Sequence, residues 1–105
     1  MDGATFCRYR NRVPEVTYHQ RKRDECLRDR GLAFEDALHV FAGPRLHIVD
    51  RRRFYPEMRV QTYGLLKGRM VMVVWTPSGG ARHVISTRKC NDREEARFRQ
   101  QLCEG

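Results

Sequence analysis

The 105-residue sequence predicts an α+β fold, with two N-terminal helices packed on an antiparallel three- to four-stranded meander sheet and a C-terminal helix after it. Three observations carry this reading. Apolar residues before Gly43 recur at helical spacing. After Arg45 the period shortens to two and then gives way to a continuous apolar run, with glycines between the segments. After Lys89 a capping signal opens a last helical stretch.

Each element has a local reason. Residues 1–14 read as an irregular basic arm ending at Pro14, whose ring fixes φ and removes an N–H. Thr17 to Arg30 has a helical composition, with Cys26 and Leu27 as sparse apolar points, and Gly31 is a natural stop. Phe34, Ala37, Leu38 and Phe41 form the apolar face of a second helix that Gly43-Pro44 ends. Arg45 to Asp50 reads as a strand. Met58 to Leu66 alternates, with Met58, Val60 and Thr62 on one face and Arg59, Gln61 and Tyr63 on the other. Lys67-Gly68 suits a tight hairpin turn. The run Val71-Met72-Val73-Val74-Trp75 is that of a central strand buried on both faces. Pro77 to Gly80 turns the chain into a strand from Ala81 to Thr87. Asn91 and Glu94 form a capping-box pair, followed by the stripe of Phe98 and Leu102. With no repeat and no second core, residues 15–105 are one domain behind the arm, and its helices are expected on one face of the sheet.

Charge points to the partner. The chain has 21 Lys and Arg against 13 Asp and Glu, a net charge of +8. Lys22, Lys67 and Lys89 are the lysines; every other cation is arginine, whose planar fork grips phosphate in two places. Residues 58–90 carry six cations (Arg59, Lys67, Arg69, Arg82, Arg88 and Lys89) and no acid. Such a stretch predicts a polyanion as partner, nucleic acid first. The longest apolar run, Met70 to Trp75, is far short of the roughly 20 residues of a membrane span. The first residues hold no apolar stretch, so no secretory signal and a cytoplasmic location are expected. Cys7, Cys26, Cys90 and Cys103 form no C-x-x-C pair and have no histidine at zinc spacing, which predicts reduced thiols. A metal-dependent nuclease clusters carboxylates, and the basic stretch has none, so no metal or other cofactor is expected.

Three blocks then resemble a known family. The first is Tyr18-His19-Gln20-Arg21-Lys22, followed by Gly31 and Phe34-Glu35-Asp36-Ala37. The second runs from Glu57-Met58-Arg59 through Tyr63-Gly64 to Gly68-Arg69. The third is Val84-Ile85-Ser86-Thr87-Arg88-Lys89, then Asp92-Arg93-Glu94. In this order and spacing, from about Val16 to Gln101, they resemble the BrnT family of type II toxin–antitoxin toxins, of the RelE/ParE superfamily. The sequence departs from the family pattern at His19, Cys26, Arg30 and Ala33, and at His83, where the family has an arginine.

The resemblance implies a RelE-like toxin domain and a metal-independent endoribonuclease. Its implied target is RNA, mRNA first, with inhibition of translation and growth. Its implied partner is a cognate BrnA-like antitoxin, acidic in its toxin-binding segment, through which the complex would bind promoter DNA. The alternative is a non-catalytic nucleic-acid-binding module of the same fold. Cleavage by the RNA's own 2′-hydroxyl needs a proton acceptor, cations on the phosphate and an acid for the leaving oxygen. Arg59 and Arg88 are the candidates for the phosphate, and His83, the one histidine of the basic stretch, for the proton. Arg69, Arg82 and Lys89 are further RNA-binding candidates, with Lys22, where the family keeps a lysine. Tyr63 and Trp75 are candidates for stacking on bases. The competing expectations are a core Trp75, a solvated Lys22, and an Arg88 paired with Asp92 or Glu95.

Overall fold

The chain runs β1 (Val16–Tyr18), α1 (Gln20–Arg30), a 3-10 turn (Phe34–Asp36), α2 (Ala37–Ala42), β2 (Arg45–Val49), β3 (Val60–Leu66), β4 (Arg69–Ser78), β5 (Ala81–Lys89) and α3 (Asp92–Glu104). The structure is a computed structural model and describes residues 15–51 and 54–104, the last three of these by backbone alone. The expected arm 1–14 and the side chains of Leu102 and Cys103 lie outside the described residues.

The sheet has five strands, in the order β1-β5-β4-β3-β2. β2 to β5 form the expected antiparallel meander. The fifth strand corrects the expectation. Val16–Tyr18 is not the start of a helix but an edge strand parallel to β5, with Val16 opposite Arg82 and Tyr18 opposite Val84. Its partner is some 66 residues away, and the Arg82 N–H donates to the Glu15 carbonyl at 2.8 Å just ahead of it. Local composition says nothing of a partner that distant. The second helix also departs from expectation, since Phe34–Asp36 winds as a 3-10 turn before a six-residue α2. β3 begins at Val60, two residues later than its alternation suggested.

The punctuation holds. α1 ends at Gly31, where the N–H returns to the Leu27 carbonyl at 2.9 Å. Lys67 and Gly68 take φ of 53° and 80°, the paired positive φ of a turn whose twist matches the strands it joins. Asn91 Oδ1 accepts the Glu94 N–H at 2.8 Å, and Glu94 Oε1 accepts the Asn91 N–H at 3.0 Å. That is the reciprocal capping box.

β4 is buried on both faces, as its composition requires. On one face Val71, Val73 and Trp75 join Val60, Leu66 and Val84 against Phe34, Ala37, Val40 and Phe41. On the other, Met70, Met72 and Val74 join Tyr63, Cys90 and Phe98. Helices therefore cover both faces, not one. The reason is Phe98 of α3, which stacks on Tyr63 with centroids 4.2 Å apart. β5 runs on past the end of β1, and α1 shields the edge so exposed. The Thr87 carbonyl there accepts from Arg30 Nη1 at 2.9 Å and from the Cys26 thiol at 3.3 Å.

α2 lies so close to β3 that a Cβ on Gly64 would sit 2.7 Å from Val40 Cγ1 and 3.2 Å from the Pro44 carbonyl oxygen. Gly64→Ala is expected to destabilise the fold by about 1–3 kcal/mol, read from chemical denaturation, because the extra methyl overpacks a helix–sheet contact.

Candidate functional site

One strip of the sheet is left between the helices. On the α3 side, Gln61, Thr76, His83, Ile85, Ser86 and Arg88 are all half-buried, while the residues beneath α3 are buried. The pairing register fixes which side chains share this strip. Tyr63, Met72 and Arg88 form one row across β3, β4 and β5. Thr76 and His83 form another, and the alternation of β3 carries Arg59 to the same side. Strict alternation would put His83 and Arg88 on opposite faces, being five residues apart. A bulge reconciles them. Val74 pairs with Ser86, but Trp75 pairs with Val84, so Ile85 is extra and the faces are reset.

The structure therefore brings Arg59, His83 and Arg88 to one strip, though not into mutual contact. Arg59 and His83 are two strands apart, about 10 Å, and the Arg88 row lies about 13 Å further along β4.

Each is held differently. The Arg59 guanidinium lies 4.2 Å over the Tyr55 ring, with Nη2 3.6 Å from Glu57 and a buried Nε that has no hydrogen-bond partner. Tyr55 donates its hydroxyl to Asp50 Oδ2 at 3.3 Å, so the loop between β2 and β3 forms the seat. His83 Nδ1 lies 2.9 Å from the Thr17 hydroxyl of β1, which commits one ring nitrogen and leaves Nε2. Arg88 makes a two-pronged pair with Glu94, Nη1 to Oε1 at 2.9 Å and Nη2 to Oε2 at 2.7 Å. Its partner is thus neither Asp92 nor Glu95; Glu95 pairs with Arg99. Hydrogen bonds from Arg88 lower the Glu94 carboxyl to about 2, and the same bonds raise the Arg88 guanidinium.

The RNA-binding candidates divide. Lys22 is exposed on α1, where it lines a cleft of about 270 Å³ with Arg30 and Ser86. Lys89 is exposed at the end of β5, and Arg69 is exposed with Nη2 on the Cys90 carbonyl at 3.2 Å. Three others are not available on the strip. Trp75 is core, its Nε1 donating to Thr62 at 2.7 Å, because it belongs to the strand buried on both faces. Tyr63 is covered by Phe98 and does not offer its ring to a base. Arg82 faces the other side, its guanidinium 4.5 Å over Phe41 and 4.6 Å over Trp75. Burial first, then the nearby Arg45, lowers its pKa.

Cysteine chemistry is not poised here. Cys26 and Cys90 are buried free thiols. Burial raises both, Cys90 to about 11, away from the thiolate a nucleophile needs. Among the described residues no three His, Cys, Asp or Glu gather as metal ligands, and no helix is long and apolar enough to cross a membrane.

Sequence reasoning missed Tyr55, Thr17 and the second task of Glu94. Glu94 was legible as a capping residue three positions after Asn91. Nothing in that spacing says the same carboxylate also grips the end of β5.

Fold and strip together define a small arginine-rich α+β domain that gathers cations and an imidazole on one open sheet surface, the equipment of a protein that handles a polyanion. The family profile described as "Ribonuclease toxin, BrnT, of type II toxin-antitoxin system" matches residues 18–94, and the chain belongs to that family. The crystal structure of the Brucella abortus ribonuclease toxin BrnT, at 1.1 Å resolution, superimposes with a TM-score of 0.58 at 23% identity, over 76% of this chain and 100% of that one. That likeness is one of fold. No curated protein sequence matches the chain significantly.

Two outcomes follow from the geometry. Glu94→Gln is expected to cost about 0.5–1 kcal/mol at neutral pH, a figure suited to a partly exposed pair. Because the folded carboxyl lies at about 2 against an ordinary 4.5, this stabilisation is complete above pH 4.5 and is lost as pH falls toward 2. Denaturation of wild type and variant from pH 7 to pH 2 checks it. Cys26 and Cys90 are expected to stay unmodified by a thiol reagent at pH 8 and to react once the protein unfolds, as mass spectrometry reads directly.

Proposed function

We propose that the protein is the ribonuclease toxin of a type II toxin–antitoxin pair, a RelE-like domain that cuts RNA by in-line attack of the 2′-hydroxyl on the neighbouring phosphate. The observation that carries this is the strip itself. Arg59, His83 and Arg88 share one half-buried surface, built by strands from a stretch with no acid between residues 58 and 90. Arg59 lies across the strip from the imidazole and Arg88 lies further along it, so an RNA backbone laid over the strip meets a cation at each place. His83, with Nδ1 held by Thr17, uses Nε2 to move the proton. The 2′-oxygen bonds to phosphorus, the P–O5′ bond breaks, the 2′ proton leaves to a base, and the 5′-oxygen gains a proton. The products are a 2′,3′-cyclic phosphate and a 5′-hydroxyl, and no metal takes part. Lys22, exposed on α1, and Arg69 and Lys89, exposed at the ends of β4 and β5, hold the flanking backbone.

The same surface defines the regulator. A cognate antitoxin supplies an acidic segment that covers the strip and competes with RNA, and the complex reaches its promoter DNA through the antitoxin. With mRNA as target in the cytoplasm, the outcome is inhibited translation and arrested growth.

The experiment is RNA cleavage by purified protein in chelator, with and without ribosomes, with the new ends identified. Cyclic phosphate ends are expected. Arg59→Ala and Arg88→Ala are each expected to slow cleavage on the order of 100–1000-fold while RNA still binds. RNA left intact in both tubes, with binding retained, would make the protein a non-catalytic nucleic-acid-binding module instead.

A further inference from the structure

We propose that Glu94 is the positioning residue of the strip, fixing Arg88 so that the guanidinium meets an RNA phosphate through its Nε–Nη2 edge. The proposal rests on the ribonuclease reading for its effect on rate, and on geometry alone for the pose.

A guanidinium has five N–H groups in one plane. Glu94 takes one from Nη1 and one from Nη2, at 2.9 and 2.7 Å. The second Nη1 hydrogen turns back to the Lys89 carbonyl at 3.3 Å. What remains is Nε–H and the second Nη2–H. These point the same way along one edge, spaced for two oxygens of a phosphate. Among the described residues no hydrogen bond uses either of them. With the Arg88 side chain 36% exposed, the arginine is satisfied at its tip and open at its side.

The clamp is rigid because both of its ends are tied to backbone. Glu94 sits in the first turn of α3, with Oε1 also on the Asn91 N–H and its own N–H on Asn91 Oδ1. Arg88 is paired in register with Met72 on the central strand. Turning the guanidinium therefore means giving up two bonds at once to a carboxylate that the Asn91 N–H also holds. An unclamped arginine would sample many poses over a phosphate, whereas this one is set before RNA arrives.

Charge separates this role from its rivals. Glu94 brings a negative charge to a surface meant for RNA. If it merely competed with RNA for Arg88, its removal would tighten binding and speed cleavage. If it only capped α3, its removal would cost stability alone. A positioning residue gives a third pattern, in which the rate falls and binding does not.

The test uses Glu94→Gln, which keeps side-chain length and an oxygen for the cap but sets an amide N–H₂ against the guanidinium. Asn91→Ala is the control, weakening the cap while leaving the carboxylate. In single-turnover cleavage at saturating RNA, Glu94→Gln is expected to lose about 10–100-fold in rate, as a small misplacement of a catalytic group does. Its RNA dissociation constant should be unchanged or lower. Asn91→Ala, assayed where it is folded, should stay within about twofold of wild type, and Glu94→Gln should add no further loss to Arg88→Ala. A second readout needs no cleavage. The Arg88 Nε–H resonance should shift as a 2′-O-methyl oligoribonucleotide, which lacks the attacking hydroxyl, saturates the wild-type protein, and should lose that response in Glu94→Gln. Wild-type or faster cleavage by Glu94→Gln, an equal loss in Asn91→Ala, or an Nε–H that ignores saturating RNA would each overturn the proposal. If the wild-type protein cuts no RNA, the ribonuclease reading fails, and the resonance still decides whether Glu94 presents the edge of Arg88 to phosphate.

Discussion

The fold depends on the double burial of β4. Val71 to Trp75 are all buried, with side chains alternating to both faces of the sheet. No half-covered sheet can hold such a strand, so it needs strand partners on both edges and helices on both faces. α1 and α2 answer on one side, and Phe98 of α3 answers on the other. The mismatch between these covers is what creates the strip. Helices blanket one face, while Phe98 of α3 joins Tyr63, Met70, Met72, Val74 and Cys90 on the other, and Gln61, Thr76, His83 and Arg88 stay half-buried. A surface open to a polyanion is thus the residue of packing that β4 imposes.

Much of this was legible in advance, for a stated physical reason. Glycine turns, the capping box and the apolar run of β4 are local signals, written in neighbouring residues, and each holds in the structure. What failed was non-local. Val16–Tyr18 has the β-branched and aromatic composition of a strand, but only pairing with Arg82–Val84 makes it one. Helices on both faces follow from a contact between Tyr63 and Phe98, 35 positions apart in the sequence. Of the site, the charged residue types were legible and their surroundings were not. Arg82 and His83 are neighbours in sequence, yet one ends stacked on Phe41 and Trp75 and the other on the strip.

The assignment of those two neighbours to opposite faces turns on one extra residue. Counting back from Arg88 by strict alternation would bring Arg82 onto the strip and send His83 into the aromatic core. The bulge at Ile85 inverts that result. It does so between the last row covered by α3 and the first open one, where a change of register disturbs least packing. Bulges concentrate beside functional sites because they re-aim a side chain without rebuilding a sheet. Here the re-aiming has a second consequence. Arg82 is long enough to lie flat across two rings, where its charge is offset by aromatic faces. A histidine in its place would be too short to span them.

β1 completes the argument. Val16 and Tyr18 pack against the core, Tyr18 edge-on to Phe34, and Thr17 between them reaches His83 at 2.9 Å. An arginine at this position would need no hydroxyl, having no choice between two ring nitrogens to make. A histidine does, since the nitrogen that meets the substrate is set by the bond made by the other. Thr17 supplies that bond from an edge strand held in register by the Glu15 carbonyl on the Arg82 N–H. Thr17 therefore fixes which ring nitrogen of His83 is left uncommitted, the condition that a proton-transfer role would require.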